Sequence, residues 1–466
     1  MQLIVLIDIG STFTKVSAVD LDEARLAAHF QAPTTPRNVN DGLQAALTGL
    51  GEELAKVGVT SADVQRAQKL ACSSAAGGLQ MIAIGLVTDL TAEAARQAAL
   101  GAGARVLKTY AYELTEADRD EIARLQPDII LLAGGTDGGN YTTIIHNAKV
   151  LAALDLKVPV VIAGNRSVAP EVAAYLKHNF STYITANVMP EIGRLDVEPA
   201  RQVIRQVFME TIVQAKGLSK AEELIDGIFM PTPAAVLRAG TILSQGIAGH
   251  TGWGDLVIVD VGGATTDVHS LGSGQPSRAG TVMRGLPEPF AKRTVEGDLG
   301  VRVSASPLVE AVGADVVSSF LGWEPERVRA LAARITAEQD FLPQTPDDVR
   351  FDQALGYFAT KAAVSRHAGR ISEVYTPTGP VWIQEGKDLS QFKAVIATGG
   401  VFINSSAPAH MLAGAAKEAS NPFELKPIDP TYYLDSDYLL AAAGLLAEEY
   451  GQAAFRLMER SLKCVR

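Results

Sequence analysis

Apolar runs of strand length, such as Leu3 to Ile7, Ile129 to Ala133 and Val158 to Ile162, alternate along the chain with longer stretches of helical period, such as Thr91 to Leu100 and Thr115 to Leu125. That alternation predicts an α/β protein. The short runs are apolar at every position, as in strands that helices cover on both faces. From Gln80 to Ala186 the order reads strand then helix four times, closing on a strand at Tyr183-Ile184-Thr185. This predicts an inserted doubly wound region at about 80–190, inside a first lobe of residues 1–230 and ahead of a second lobe of residues 231–466. Its glycine-rich stretch, Gly134 to Asn140, follows a strand and opens a helix; it reads as a plain turn or as a phosphate or cofactor cradle. Thr376 to Gly386 predicts a hairpin or loop, and Tyr438 to Leu457 an amphipathic helix.

A strand ending in Asp8-Ile9-Gly10-Ser11-Thr12 has a counterpart in Asp260-Val261-Gly262-Gly263-Ala264-Thr265-Thr266-Asp267. In each, an acid closes a buried strand, glycine and hydroxyl residues make a turn, and a second strand returns. The pattern suits a polyphosphate. Gly10 lets backbone amides approach phosphate oxygens, Ser11 and Thr12 add hydroxyls, and Lys15 brings a positive charge, while Asp8 holds Mg²⁺ through its water shell. The duplication predicts two similar lobes with a nucleotide clamped in a cleft between them. A third run, Ala394 to Val401, is a buried strand ending in Gly399-Gly400, where backbone can lie flat against a nucleoside.

In order and spacing these three elements resemble the phosphate-1, phosphate-2 and adenosine motifs of the actin/Hsp70/sugar-kinase superfamily. The resemblance implies a two-lobed fold of duplicated RNase H-like domains binding ATP and Mg²⁺. It implies Asp8 and Asp260 as metal-coordinating or water-positioning acids and Lys15 as a catalytic cation. Gly10, Ser11, Thr12, Gly262, Gly263 and Thr265 hold phosphates, and Gly399 and Gly400 face the nucleoside. Asp8, Asp260 and Glu296 all stand as candidates for orienting the attacking water, and Asp267 reads as a cap on the second hairpin.

The strings Ala71 to Leu79, Leu90 to Arg96, Leu131 to Asn140 and Asn187 to Gly193 resemble the glutamate mutase accessory protein L family. That resemblance implies an ATPase that reactivates an adenosylcobalamin-dependent mutase of the glutamate mutase or aminomutase type. A small-molecule kinase of the same fold and a nucleotide-regulated filament protein stay open beside it. The mismatch-repair ATPase that shares the family's name has a different ATP fold, and the hairpin-type phosphate motifs argue against it.

Composition narrows the partners. The 466 residues carry a formal net charge of -11 without a basic stripe, which disfavours nucleic acid and anionic membrane. Two cysteines, Cys72 and Cys464, form no disulfide framework or thiolate metal site and fit a reducing cytoplasm. The apolar run at the N-terminus ends at Asp8, too short for a membrane span. The histidines lack metal-ligand spacing, and His146, His269 and His367 read as surface or satisfied positions. Arg284 and Arg293 read as solvated loop charges, and Cys72 as a small buried residue. Homo-oligomerisation is left open.

Overall fold

In the computed structural model, residues 2–10, 13–35, 39–74, 79–212, 225–226, 229–338, 340–377 and 379–465 are described. They form two compact units, one of residues 1–239, 285–287 and 441–457, the other of 240–284, 288–440 and 458–466.

The first unit begins with β1 (Leu3–Ile9), β2 (Phe13–Asp20) and β3 (Arg25–Pro33), an antiparallel meander, followed by β4 (Gln68–Ser73), which pairs parallel to β1. A separate sheet then intervenes: β5 (Gln80–Gly85), β6 (Arg105–Ala111), β7 (Ile129–Leu132), β8 (Val160–Ile162) and β9 (Thr182–Ile184), all parallel, in the order β6-β5-β7-β8-β9. Helices fill each crossover, as parallel pairing requires. β10 (Phe229–Pro231) returns to the first sheet beside β4, giving β10-β4-β1-β2-β3.

The second unit has a short ribbon of β11 (Gly246–Ile247) and β12 (His250–Thr251). Its main sheet joins β13 (Leu256–Val261), β14 (Thr266–Leu271), β16 (Ala291–Glu296), β19 (Ala394–Thr398), β20 (Thr431–Asp435) and β21 (Leu462–Val465) in the order β16-β14-β13-β19-β20-β21. β15 (Thr281–Arg284), β17 (Arg370–Thr376) and β18 (Gly379–Glu385) make a small third sheet; β17 and β18 form a hairpin, of which the stretch expected as a hairpin or loop, Thr376 to Gly386, covers the turn and the second strand. Setting the added β21 aside, both main sheets have the same plan: an antiparallel three-strand meander whose first strand continues into two parallel strands. This is the duplicated RNase H-like arrangement of the actin/Hsp70 fold class.

Two sequence expectations are corrected. The tail is two helices, Leu439–Leu446 and Gly451–Ser461. The first packs so tightly that a Cβ on Gly444 would lie 1.9 Å from Ala235 O, and Gly451, a poor helix interior residue, stands at the break. Arg293 is not a loop charge: it lies on β16, 5% exposed, with Nη2 2.5 Å from Asp267 Oδ1.

The histidines divide. His367 is buried and satisfied, with Nδ1 2.8 Å from the Thr294 hydroxyl and Nε2 2.7 Å from that of Ser270. His146 meets Leu114 O at 3.0 Å. His269 is the exception: it is 1% exposed on β14, and neither ring nitrogen has a hydrogen-bond partner among the described residues. Burial, reinforced by the neighbouring Arg293 guanidinium, holds its pKa well below the ordinary 6.5. The folded protein therefore keeps it neutral, whereas the unfolded chain takes up a proton below about pH 6.5. Stability is expected to be whole above that pH and to fall as pH drops, by up to about 1.4 kcal/mol per pH unit from this residue. Urea unfolding of wild type and His269→Leu between pH 5 and 8 checks it: the variant should lose that part of the slope.

Candidate functional site

Each main sheet delivers an acid to a hairpin turn. In β1 the core positions Ile4 to Ile7 are buried and Asp8 is partly exposed; in β13 Asp260 is the one position not buried. The turns close alike: Gly10 N donates to Phe13 O at 3.0 Å and Gly262 N to Thr265 O at 2.9 Å. The residue opposite each acid differs, Lys15 facing Asp8 and Asp267 facing Asp260.

In the first unit Asp8 is held from three directions. Thr232 Oγ1 donates to its Oδ1 at 2.7 Å, the Cys72 thiol approaches the same oxygen at 3.6 Å, and Lys15 Nζ lies 3.6 Å from Oδ2. Burial, then the Asp8 charge, pushes the Cys72 thiol well above its ordinary pKa, so it stays a protonated donor. Ser11 and Thr12 lie outside the described residues.

In the second unit the turn is clamped from behind. Val301 N donates to Gly262 O at 3.1 Å, Arg302 N to Gly263 O at 2.8 Å, and the Ser304 hydroxyl to Ala264 O at 2.7 Å. Three successive carbonyls thus point one way. In a trans peptide the N–H points opposite to the carbonyl, so the N–H groups of Gly263, Ala264 and Thr265 face away from the clamp. Nothing among the described residues accepts from them. Consecutive unspent amides of this kind make a concavity for an anion.

Gly300 permits the clamp, since a Cβ there would lie 2.4 Å from the Ala264 carbonyl carbon. Gly399, at φ +109°, sits where a Cβ would meet Val261 O at 2.4 Å and Asp260 Oδ1 at 3.2 Å, which brings the third motif beside the second acid. A Cβ on Gly400 would lie 3.1 Å from the Tyr438 hydroxyl. Beneath this turn, buried Asp435 accepts from the Thr398 hydroxyl at 3.1 Å and from Leu439 N at 2.8 Å.

The remaining acids are committed elsewhere. Asp267 Oδ1 takes both Nε and Nη2 of Arg293, at 2.6 and 2.5 Å. Breaking such a buried pair costs about 3–5 kcal/mol, so Asp267 is an anchor of the hairpin more than a surface cap. Glu296 is 2.7 Å from Arg366 Nη1. In the glycine-rich Gly134–Asn140 turn, Asp137 N donates to Pro190 O, Gly138 N to Asn165 Oδ1 and Gly139 N to Thr136 O. Those amides are spent, which favours the plain turn over a phosphate cradle. Sequence reading missed Thr232, Gly300 and Arg302; the Thr-Pro pair opening an apolar helical run at 232–233 was the available sign for the first.

Among the described residues no group of three or more His, Cys, Asp or Glu is placed to hold a metal ion. No helix among them is long and apolar enough to cross a membrane.

Residues 4–462 match a family model described as MutL protein. A curated relative, Protein MutL of Clostridium tetanomorphum, is 48% identical over 464 residues, covering 99% of each chain. Among solved structures, nucleotide-free acetone carboxylase is similar at 14% identity and a TM-score of 0.41, covering 96% of this chain and 70% of that one. The activator of 2-hydroxyisocaproyl-CoA dehydratase from Clostridium difficile with bound ADPNP is similar at 10% identity and 0.34, covering 100% and 99%.

The clamp makes Gly300 the most sensitive small residue near the turn. Gly300→Ala is expected to cost about 1–3 kcal/mol in urea unfolding, the usual range for overpacking. It should also weaken binding of an anionic ligand at Gly263–Thr265 by about tenfold or more, read by calorimetry with a nucleoside triphosphate.

Proposed function

Because the chain belongs to the MutL protein family, we propose that it is a Mg²⁺-dependent ATPase that serves as an accessory protein, reactivating an adenosylcobalamin-dependent mutase of the glutamate mutase or aminomutase type. The observation that carries the nucleotide part is the run of unspent amides at Gly263, Ala264 and Thr265 beside the Asp260 carboxylate. An anion with several oxygens fits that set, and a carboxylate next to it fits the water shell of a divalent cation.

In this reading Gly262, Gly263 and Thr265 bind phosphate oxygens, Asp260 and Asp8 orient metal-bound or attacking water, and Gly399 and Gly400 pack against the nucleoside. Gly10, Ser11 and Thr12 are assigned to phosphate oxygens as well, and Lys15 to neutralising their charge. Thr232 and Cys72 fix the orientation of the Asp8 carboxylate, because both engage Oδ1 while Lys15 lies against Oδ2. When bound, Mg²⁺ neutralises phosphate charge; the protein's share is positioning. The mutase role rests on the family resemblance and on the chemistry of a radical cofactor that can be lost or damaged during turnover.

The test measures ATP hydrolysis with Mg²⁺ and recovery of a mutase inactivated by turnover. Wild type should do both, and Asp8→Ala and Asp260→Ala should each lower hydrolysis by about 100-fold or more, the scale of losing a group that orients charge in the transition state. Thr232→Val should lower kcat by a smaller factor, about tenfold, with little change in KM. Hydrolysis without any mutase recovery would sink the accessory role and move the reading to a kinase or filament protein; absence of ATP binding would sink the nucleotide reading altogether.

A further inference from the structure

The long helix Pro346–His367 carries none of the residues predicted for the site, yet two of its side chains grip the segment that clamps the amide-presenting turn. Asp352 grips Arg302. The Arg302 stem lies against Gly263, where a Cβ would meet it at 3.3 Å. Its guanidinium donates from Nε to Phe341 O at 3.0 Å, from Nη1 to Val301 O at 2.8 Å and Asp352 Oδ1 at 2.5 Å, and from Nη2 to Asp352 Oδ2 at 3.2 Å. A guanidinium has five N–H donors, and these contacts use four of them while the carboxylate cancels the charge. A residue so engaged is poorly placed to bind a phosphate itself. It is a peg between helix and turn.

Arg366 makes the second grip, with Nη1 2.7 Å from both Glu296 and Asp298 and Nη2 2.8 Å from Asp298. Asp352 and Arg366 are 366 − 352 = 14 residues apart. At about 3.6 residues per turn that is close to four whole turns, so both lie on one face of the helix. Between the two grips, residues 296–304 wrap the turn: Gly300 packs on Ala264, and the Ser304 hydroxyl reaches both Ala264 O and Gly297 O.

We propose that Arg302 is a positioning residue, held by Asp352, that keeps Gly262–Thr265 in its amide-presenting pose with the long helix as the strut, and that Arg366 braces the same wrap at its other end. The inference rests on the nucleotide reading for its consequence but not for its geometry. Arg302 acts through the turn and touches no phosphate, so its loss weakens binding by letting the amides diverge.

Two variants separate this from simple packing. Arg302→Met keeps the stem over Gly263 and deletes the fork; Asp352→Asn keeps the shape and deletes the charge. Calorimetry with Mg·ATP should show each weakening binding about tenfold, and the double variant should be no weaker than the worse single one, because both remove one shared interaction. Hydrogen exchange without nucleotide should show the Val301 and Arg302 amides, which donate to the turn carbonyls, exchanging faster in both variants while β13 is unchanged. Wild-type exchange together with wild-type affinity in Arg302→Met overturns the proposal. If wild type binds no ATP, the nucleotide reading falls and the exchange measurement alone decides whether Arg302 sets the turn. Should Arg302→Met fail to fold, Asp352→Asn reads the same contact.

Discussion

A carboxylate must be delivered near the end of a largely buried strand, two residues before the glycine that opens a hairpin turn. That constraint organises both units. A charged group at the end of a strand covered on both faces is costly unless water, a hydrogen bond or a ligand reaches it. Asp8 is served by Thr232, Cys72 and Lys15, and both acids sit at the partly exposed position of an otherwise buried run. The parallel strands β4 and β19 then have a functional reading as well as a packing one. β4 brings Cys72 level with Asp8, and β19 brings Thr398 level with Asp260 and leads into Gly399.

The two hairpins share a plan and differ in chemistry. Lys15 opposite Asp8 balances one charge with another across the ladder, whereas Asp267 opposite Asp260 places two acids on facing positions. Like charges so placed repel, and the second hairpin answers with Arg293 from the next strand, which takes Asp267 for itself. One consequence is that Asp267 is committed to the hairpin itself. Another is that the second hairpin is tied into the buried layer holding His269, His367, Ser270 and Thr294, so its rigidity depends on polar side chains with few alternatives.

Much of the fold could be read along the chain, because the reading depended on local periodicity. The continuous apolar strands, the alternating insertion, the hairpin of β17 and β18 and the repeated acid-glycine turn all follow from neighbours within a few positions. Where two helices stand in place of one in the tail, the local pattern was right about helical period but passed over Gly451 at the break, and the close packing of Gly444 on Ala235 is a contact between distant segments that it does not contain. Arg293 was misread for the same reason: a charge beside glycine and proline looks like a loop until its strand pairs with β14 and buries it.

What the sequence by itself determined is the chemistry at each turn: an acid, a glycine, then small and hydroxyl residues, twice, with Gly399 and Gly400 following a third buried run. The tertiary structure alone decided which amides stay unspent. The Gly134–Asn140 and Gly262–Thr265 turns are both glycine-rich, yet the first turns its N–H groups inward to Asn165, Pro190 and its own carbonyl, while the second has its carbonyls pinned by Val301, Arg302 and Ser304. The difference lies in partners tens of residues away, and a hydrogen bond's direction cannot be read from the residues that flank it.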